Sequence, residues 1–197
     1  MTRSEILLGD DGRSRCGWVD SDLEYARYHD EEWGTALHGD RPLFEKISLE
    51  GFQAGLSWIT ILRRRPGFRA AFDGFEIDAV AAYDEAHVER LMLDDRIIRN
   101  RAKVLATIGN ARLTVDLVRE SPGALDALIW SFAPAAGRAR PQTWAEIPAV
   151  TKESEALSTE LRRLGYRFVG PTTMYALMQS AGLVDDHLSG CWRALEH

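Results

Sequence analysis

The amino-acid sequence predicts an all-α fold in a single domain. Its 197 residues suffice for one large domain or for two small lobes around a shared core. The chain is divided into segments whose apolar residues recur with the period of a helix. Each segment begins at a residue that favours helix starts and ends at a glycine or proline. No segment shows the sustained apolar–polar alternation of a half-buried strand. We therefore expect helices to supply nearly all of the regular structure.

Local capping and stop signals place these helices along the chain. An N-cap side chain pairs with backbone N–H groups that the first helical turn leaves free. In chain order, we predict a helix opened by the capping-box sequence Ser21-Asp22-Leu23-Glu24 and ending near Trp33; a helix from Asp40-Arg41-Pro42 with a turn near Gly55; a short helix over Ser57–Arg64; short helices capped by Asp78 and Asp84; a long helix over Asn100–Val118; helices over Ala124–Phe132 and Thr151–Leu164; and a last helix between Gly170-Pro171 and Gly182.

Composition favours a cytoplasmic protein. No apolar run approaches the roughly 20 residues of a membrane span, and the short apolar stretch near the N-terminus is followed by acids, unlike a signal peptide. In a reducing compartment two cysteines are expected to bind a metal or remain buried thiols. The net charge of −6 alone argues against nucleic-acid binding. However, the arginines cluster locally, and a local basic face can bind phosphates whatever the total charge.

Two Cys/His pairs lie near opposite ends of the chain. Cys16 and His29 are spaced as C-x12-H, and His187 and Cys191 as H-x3-C. Together they have the stoichiometry of a closed, tetrahedral, structural zinc site, and the second pair would share one side of a helical turn. Spacing alone leaves the alternative open, because free cysteines are commonly small buried apolar residues.

An aromatic cluster surrounds the one plausible internal carboxylate, Glu50. Apolar residues flank Glu50, and burying an unpaired carboxylate is costly, so we expect it to be paired or functional. An aromatic surface beside a buried acid suits a flat cationic ring, since stacking, cation–π attraction and a charged hydrogen bond each contribute on the order of 1–2 kcal/mol. The alternatives are a helix-end glutamate that reaches solvent, and aromatic residues that only fill the core. The cluster comprises Trp18, Tyr25, Tyr28, His29, Trp33, Gln53 and Trp58.

Residues 91–103 have the pattern of two helices that meet at a tight turn. Such a helix–hairpin–helix can offer backbone N–H groups to a DNA phosphate, and nearby basic side chains add charge. Any tight pair of helices would give the same pattern, and exposed helix faces often carry arginine. The basic residues here are Arg96, Arg99, Arg101 and Lys103.

Several other chemistries lack their sequence signatures. The chain contains no Walker loop, no G-x-G-x-x-G, no G-x-S-x-G and no H-E-x-x-H. If the four Cys/His residues bind one metal, no ligand is spare for a water-activating zinc, which argues against zinc hydrolysis.

A series of short motifs runs from about Arg15 to Cys191. The motifs are Arg15-Cys16-Gly17-Trp18-Val19; Tyr28-His29-Asp30 with Glu32-Trp33-Gly34; the segments 49–60 and 97–103; Ile129-Trp130-Ser131-Phe132; and the segments 168–173 and 178–187. In this combination the chain resembles the 3-methyladenine DNA glycosylase I family. Residues 1–14 lie outside the resemblance as an N-terminal extension, which is either ordered or disordered. Residues 15–197 would form one glycosylase domain, with helical lobes around a base-binding cleft.

The resemblance implies an all-α helix–hairpin–helix fold whose two ends are joined by structural Zn²⁺. The zinc ligands would be Cys16, His29, His187 and Cys191. Gly55-Leu56 would enter the DNA where a base has left the stack. Arg96 stands where some relatives have glycine, so the hairpin would be strained if that position required a positive φ.

The resemblance also implies roles in the aromatic cluster. Glu50 would recognise the extruded base, Trp58 would stack on it, and Tyr28 would form a hydrogen bond at its ring. Trp18 and Trp33, with Tyr28, would shape the pocket. The family lacks the aspartate that many members of its superfamily use for catalysis, and we assign none here.

The implied activity is hydrolytic removal of N3-methyladenine from alkylated duplex DNA, without a lyase step. We expect a monomer with no protein partner and no membrane association. Two alternatives stay open. One is a non-catalytic, zinc-stapled DNA-binding or lesion-sensing module, and the other is a glycosylase with a shifted preference among alkylated bases.

Overall fold

Helices form most of the structure, as the sequence predicts. The computed structural model describes residues 4–135 and 139–195. None of the described helices is long and apolar enough to cross a membrane. The elements in chain order are β1 Ile6–Leu8, β2 Ser14–Cys16, α1 Leu23–Glu31, α2 Asp40–Gln53, α3 Trp58–Ala71, α4 Ile77–Ala81, α5 Glu85–Leu93, α6 Arg101–Glu120, α7 Ala124–Trp130, α8 Lys152–Arg163 and α9 Pro171–Ser180.

The N-cap predicted at Asp84 is confirmed, and the helices predicted to begin at Asn100 and Thr151 are capped by these residues. The side chains of Asp84, Asn100 and Thr151 each accept a hydrogen bond from the N–H group three residues later. The cap predicted at Asp78 is wrong, because Asp78 lies inside α4 and Glu76 occupies the N-cap position.

Two other aspartates stabilise helix starts through contacts that the sequence did not reveal. Asp22, rather than Ser21, caps α1, and its carboxylate accepts from the N–H groups of residues 24 and 25. Asp40 is the first residue of α2, and its carboxylate accepts from the N–H groups of Gly123 and Leu125 at the start of α7. A carboxylate at this end of α7 also opposes the partial positive charge of the helix dipole. Asp40 therefore joins two helices that are distant in sequence.

The N-terminal extension contains a small sheet, which corrects the expectation of no strands. β1 and β2 pair antiparallel, with Ile6 opposite Cys16. The Glu5 carbonyl accepts from the Gly17 N–H, and its carboxylate accepts from the Trp144 N–H at 2.8 Å. Residues 4–14 are thus part of the fold, while residues 1–3 lie outside the described residues. Strands of three residues are too short to show a period of two.

Helix α2 runs through the centre of the core. All ten residues from Leu43 to Phe52 are buried, and α2 contacts α3, α6, α7 and α9. Full burial of each large apolar side chain stabilises the fold by roughly 1.5–3 kcal/mol. The same buried stretch includes Lys46 and Glu50, so α2 carries two ionisable groups into the interior.

A tight turn joins α5 to α6. Ile97 is buried in this turn, and Arg96 is not among the described non-glycine residues with positive φ, so the backbone there is not strained. Gly67 of α3 lies directly beneath the turn, because a Cβ added to it would lie 2.7 Å from the Cβ of Arg96 and 2.8 Å from its carbonyl oxygen. Glycine at this position therefore lets α3 pack closely against the turn.

Candidate active site

An open pocket of about 460 Å³ lies between α1, the start of α3 and α9. The structure brings every predicted base-binding residue to this pocket. We call it the aromatic pocket. It is lined by Trp18, Tyr25, Tyr28, Trp33, Glu50, Gln53, Ser57, Trp58, Trp144, Ile147, Ala176, Gln179 and Ser180.

Glu50 is the buried acid of the aromatic pocket. Its side chain is 3% exposed, and Oε1 accepts a hydrogen bond of 2.9 Å from the Ser180 hydroxyl. Burial raises the pKa of Glu50 to about 7, against the opposing effects of the Lys46 charge and the Ser180 hydrogen bond. A carboxyl with this pKa can change its charge near neutral pH, which ordinary glutamates do not.

Tyr28 and Trp58 form adjacent aromatic surfaces of the pocket. Their ring centroids lie 5.5 Å apart at an angle of 46°. Burial, together with the negative charges of Glu50 and Glu32, raises the pKa of Tyr28 well above its usual value, so the hydroxyl keeps its proton. The Trp58 Nε1 is buried, and it has no hydrogen-bond partner among the described residues.

The start of α3 is held so that Trp58 faces the pocket. The Tyr25 hydroxyl accepts a hydrogen bond of 2.9 Å from the Ile59 N–H, one of the free donors of the first helical turn. Tyr25 also packs edge-on against Trp18, with centroids 5.3 Å apart. Trp18 in turn packs edge-on against Trp33 at 5.2 Å. The walls of the pocket therefore form one contiguous aromatic group.

The four predicted metal ligands come together although Cys16 and His187 are 171 positions apart in the chain. We call them the Cys2His2 cluster. All four are buried, and one ligand atom from each lies within 4.8 Å of the others. The cluster comprises Cys16, His29, His187 and Cys191.

The distances within the Cys2His2 cluster fit a tetrahedral site. The Cys191 Sγ lies 3.4 Å from the His29 Nε2 and 3.6 Å from the His187 Nδ1, and the Cys16 Sγ lies 3.8 Å from the same Nδ1. A tetrahedron with Zn–S of about 2.3 Å and Zn–N of about 2.05 Å has S···N edges of about 3.6 Å. Hydrogen bonds with Cys16 and the two imidazoles lower the pKa of Cys191, whereas the hydrogen bond with Cys191 and burial raise the pKa of Cys16, so the two sulfurs share one proton that a bound metal would displace. These residues can therefore hold a metal ion.

Both imidazoles of the cluster are oriented from outside it. The His29 Nδ1 lies 2.8 Å from Asp30 Oδ1, and the His187 Nε2 lies 3.1 Å from the Trp33 carbonyl oxygen. Such partners leave the other ring nitrogen free to bind metal. Asp30 also accepts hydrogen bonds from Arg15 and from the Trp192 Nε1. The donor set and its supporting hydrogen bonds thus both suit a bound metal.

Part of the predicted DNA-contacting surface is exposed. Gly55 has a φ of +86°, which favours glycine, and the adjacent Leu56 side chain is 41% exposed. Arg99 is also exposed. Arg96 forms an ion pair with Asp94 of the turn, at 2.7 Å.

Two other predicted DNA contacts have partners in the protein. Arg101 forms ion pairs with Glu85 and Glu89 of α5. Lys103 is buried, and its ammonium donates to the carbonyl oxygens of Phe52 and Ala54 at 2.9 and 2.7 Å. This corrects the prediction for Lys103, since a cation buried on these carbonyls stabilises the end of α2 and does not reach a phosphate. Its burial lowers the pKa of Lys103.

Comparison with known proteins identifies the family. Residues 18–194 match the family described as methyladenine glycosylase. The chain belongs to the methyladenine glycosylase family. The glycosylase is 47% identical over 182 residues to DNA-3-methyladenine glycosylase 1 of Escherichia coli strain K12, covering 90% of this chain and 95% of the relative.

Solved structures agree with this family. A crystal structure of 3-methyladenine DNA glycosylase I superposes with a TM-score of 0.87 at 42% identity, covering 90% of this chain and 98% of the other. The structure that describes 3-methyladenine recognition by the Staphylococcus aureus enzyme superposes with a TM-score of 0.86 at 30% identity, covering 93% and 97%. The expected family and the expected enzyme class, a DNA glycosylase, are confirmed.

Sequence reasoning missed several residues of the glycosylase's pocket. Ser180, Gln179 and Trp144 line it, yet they come from segments far from Glu50 in the chain. Lys46 was missed as well, although a basic residue four positions before Glu50 on a helix was a readable signal. The other three carried no local signal, because only the packing of α9 and of the 139–150 segment brings them to α2.

Proposed function

We propose that this glycosylase flips N3-methyladenine out of alkylated duplex DNA and removes it by hydrolysis. The observation that carries the proposal is the buried carboxyl of Glu50 at an open, aromatic pocket of about 460 Å³. Relatives named DNA-3-methyladenine glycosylase over nearly the full chain support the substrate.

The chemistry needs little acid catalysis. Methylation at N3 makes the adenine ring cationic, so the glycosidic bond is weakened and the base departs neutral. The C1′–N9 bond breaks with its electron pair passing to the ring, a water oxygen bonds to C1′, and the water proton passes to solvent. The enzyme must extrude the nucleotide and stabilise an oxocarbenium-like sugar.

Three side chains would recognise the base. Trp58 would stack on the methylated ring, with cation–π attraction of about 1–2 kcal/mol. Glu50, as a carboxylate, would accept from the adenine edge and oppose its positive charge. Tyr28, which keeps its proton, would form a hydrogen bond at the ring. Normal adenine would be excised poorly because it leaves poorly and brings no cation to the pocket.

We propose Zn²⁺ as the ion of the Cys2His2 cluster. When bound to four protein ligands, the ion supplies a structural cross-link and has no position for water. The cluster joins β2, α1 and the C-terminal segment, so the two ends of the chain would be held together. Thiolate ligands also favour a reducing compartment, and we propose that the protein acts in the cytoplasm as a monomer.

DNA would be bound at the two exposed turns. Leu56, next to Gly55, would fill the space left by the extruded base. The turn between α5 and α6 would act as a helix–hairpin–helix that binds a backbone phosphate, with Arg96, Arg99 and Arg101 adding charge. Arg96 and Arg101 would exchange their acidic partners for phosphate.

A lyase step is not proposed, because a lyase of the lysine type needs an amine that reaches C1′. The chain has three lysines, at positions 46, 103 and 152. Lys46 lies behind the pocket rings, the Lys103 ammonium is held by two carbonyl oxygens, and Lys152 lies on α8.

A base-release assay on methylated duplex DNA tests the proposal. Chromatography should identify free 3-methyladenine as the main product, and borohydride should trap no enzyme on the DNA. Binding without release would favour the non-catalytic module. Release of a different methylated base would favour a shifted specificity.

A further inference from the structure

Lys46 lies behind the aromatic pocket, one helical turn before Glu50. Its side chain is 7% exposed, and its Nζ lies 5.3 Å from the Tyr28 ring centroid and 5.6 Å from the Trp58 centroid. Lys46 does not line the aromatic pocket. It lines a separate cavity of about 190 Å³, and Ser180 lines both spaces. The ammonium is therefore adjacent to two rings of the aromatic pocket without lining the pocket itself.

Among the ionisable groups around Lys46, the arginines pair with other glutamates and leave Lys46 and Glu50 to each other. Arg65 donates to Glu32 at 2.7 Å, and Arg69 donates to Glu45 at 2.8 Å. These two arginines thus pair with two of the three carboxylates whose charges act on Lys46, which are Glu32, Glu45 and Glu50. The remaining cation and carboxylate are Lys46 and Glu50, four residues apart on the buried face of α2.

We propose that Lys46 is a positioning residue that keeps Glu50 as a carboxylate, ready to receive a cationic base. This proposal rests on the proposed role of Glu50 in base recognition. Lys46 would act on Glu50 through its positive charge, from a position beside the Tyr28 and Trp58 rings, and would not contact the substrate.

The charge of Lys46 opposes the effect of burial on Glu50. Burial raises the pKa of Glu50, whereas Lys46 and the Ser180 hydroxyl lower it; the other titratable group facing Glu50 is Tyr28 on α1. Without Lys46, Glu50 would hold its proton to a higher pH. A protonated Glu50 would lose its negative charge and part of its capacity to accept hydrogen bonds from the base.

The charge on Lys46 is itself sustained by its surroundings. Burial and the charge of Arg65 lower the pKa of Lys46, while Glu50 raises it, followed by Glu32 at the C-cap of α1 and Glu45 on α2. Lys46, Arg65 and Arg69 share the cavity with three carboxylates, Glu31, Glu32 and Glu45, while Glu50 lines the aromatic pocket.

The test is the pH profile of 3-methyladenine release by Lys46→Met under single-turnover conditions. Methionine keeps the unbranched shape against the rings and removes the charge. Losing a nearby opposite charge should move the acid limb of the profile upward by roughly one pH unit or more. At pH 7 this corresponds to a rate about fivefold lower, with the difference narrowing towards pH 9. Lys152→Met, which removes an exposed lysine on α8, should leave the midpoint in place.

Two further variants decide the interpretation. Lys46→Gln, a second neutral replacement, should shift the midpoint in the same direction if Lys46→Met folds poorly. In a Glu50→Gln background, Lys46→Met should cause no additional pH shift, because the group through which Lys46 acts is gone.

Failure of this inference differs from failure of the proposed function. If wild type releases 3-methyladenine and Glu50→Gln does so slowly, but both Lys46 variants keep the wild-type midpoint, the role of Lys46 is wrong. If wild type releases no methylated base, the proposed function is wrong.

Discussion

His187 connects the Cys2His2 cluster directly to Trp33 of the aromatic pocket. Its Nδ1 faces the cysteine sulfurs, its Nε2 lies 3.1 Å from the Trp33 carbonyl oxygen, and its ring packs edge-on against the indole with centroids 4.6 Å apart. His29 likewise contacts Trp18, at 5.4 Å. The residues that can bind a metal therefore support the pocket wall from behind, and Glu50, the acid that we propose recognises the base, lies elsewhere, on α2.

The first prediction concerns the metal. Cys191→Ser should lower the zinc content and reduce the free energy of unfolding by several kcal/mol, because structural zinc contributes directly to folding. Metal analysis and thermal unfolding with and without a chelator measure both effects. The protein that remains folded should keep its base selectivity. Ser189→Ala, an exposed change two residues away, is the control, and a wild type that binds no metal would refute the zinc proposal.

Asp30→Asn tests the support of the metal ligands. The amide keeps an acceptor for the His29 N–H but loses the charge that pairs with Arg15. Removal of such a supporting carboxylate commonly weakens metal binding by about 10- to 100-fold. Competition with a chromophoric chelator measures the affinity. Unchanged affinity would show that Asp30 serves only its ion pair with Arg15.

The buried carboxyl of Glu50 should reduce stability as pH rises. Because its pKa is about 7 when folded and the usual value is 4.5, the folded state binds more protons between these two pH values. The free energy of unfolding should therefore fall across this window, in total by on the order of 3 kcal/mol, and level off above it. Unfolding of wild type and Glu50→Gln at pH 5 and pH 8 isolates the effect. Relative to wild type, Glu50→Gln should have a higher free energy of unfolding at pH 8 than at pH 5. If the free energies of wild type and variant differ by the same amount at both pH values, the pKa of Glu50 is not raised.

Leu56→Ala should impair base extrusion but not base recognition. Loss of the exposed side chain at the α2–α3 turn should slow release from duplex DNA by about tenfold, since less surface fills the space of the flipped base. Affinity for free 3-methyladenine should stay at the wild-type value. Leu23→Ala is a matched control, because Leu23 is 87% exposed and lies away from the pocket. If Leu56→Ala and Leu23→Ala release the base from duplex DNA at equal rates, Leu56 does not contact the DNA in the proposed way.

The sequence predicted those features whose signals are local. The helices predicted to begin at Asn100 and Thr151 do begin there, because each of these side chains accepts from an N–H group only three residues later. The Cys2His2 cluster was foreseen because its ligands are rare residue types whose family pattern is specific. Its geometry then follows from the fold and not from spacing.

Features that depend on distant contacts were not predictable in this way. Lys103 was expected at a phosphate, but the end of α2 packs against it and its ammonium binds two carbonyl oxygens there. The spacing of Lys46 and Glu50 was readable in the sequence, but the pairing of Glu32 and Glu45 with arginines of α3 became visible only in the fold. The β1–β2 hairpin was missed because its strands are short and are held in part by Glu5 contacts to a remote segment.

The rate of 3-methyladenine release by Glu50→Gln tests the central claim most directly. At pH 8 the wild-type carboxyl is mostly ionised, and glutamine keeps its shape without its charge. Loss of a charged hydrogen bond to the base should slow single-turnover release at least roughly tenfold, with folding and zinc content retained. Glu155→Gln, an exposed change on α8, should release the base at the wild-type rate. Release by Glu50→Gln at the wild-type rate would contradict the assignment of Glu50 as the residue that recognises the base.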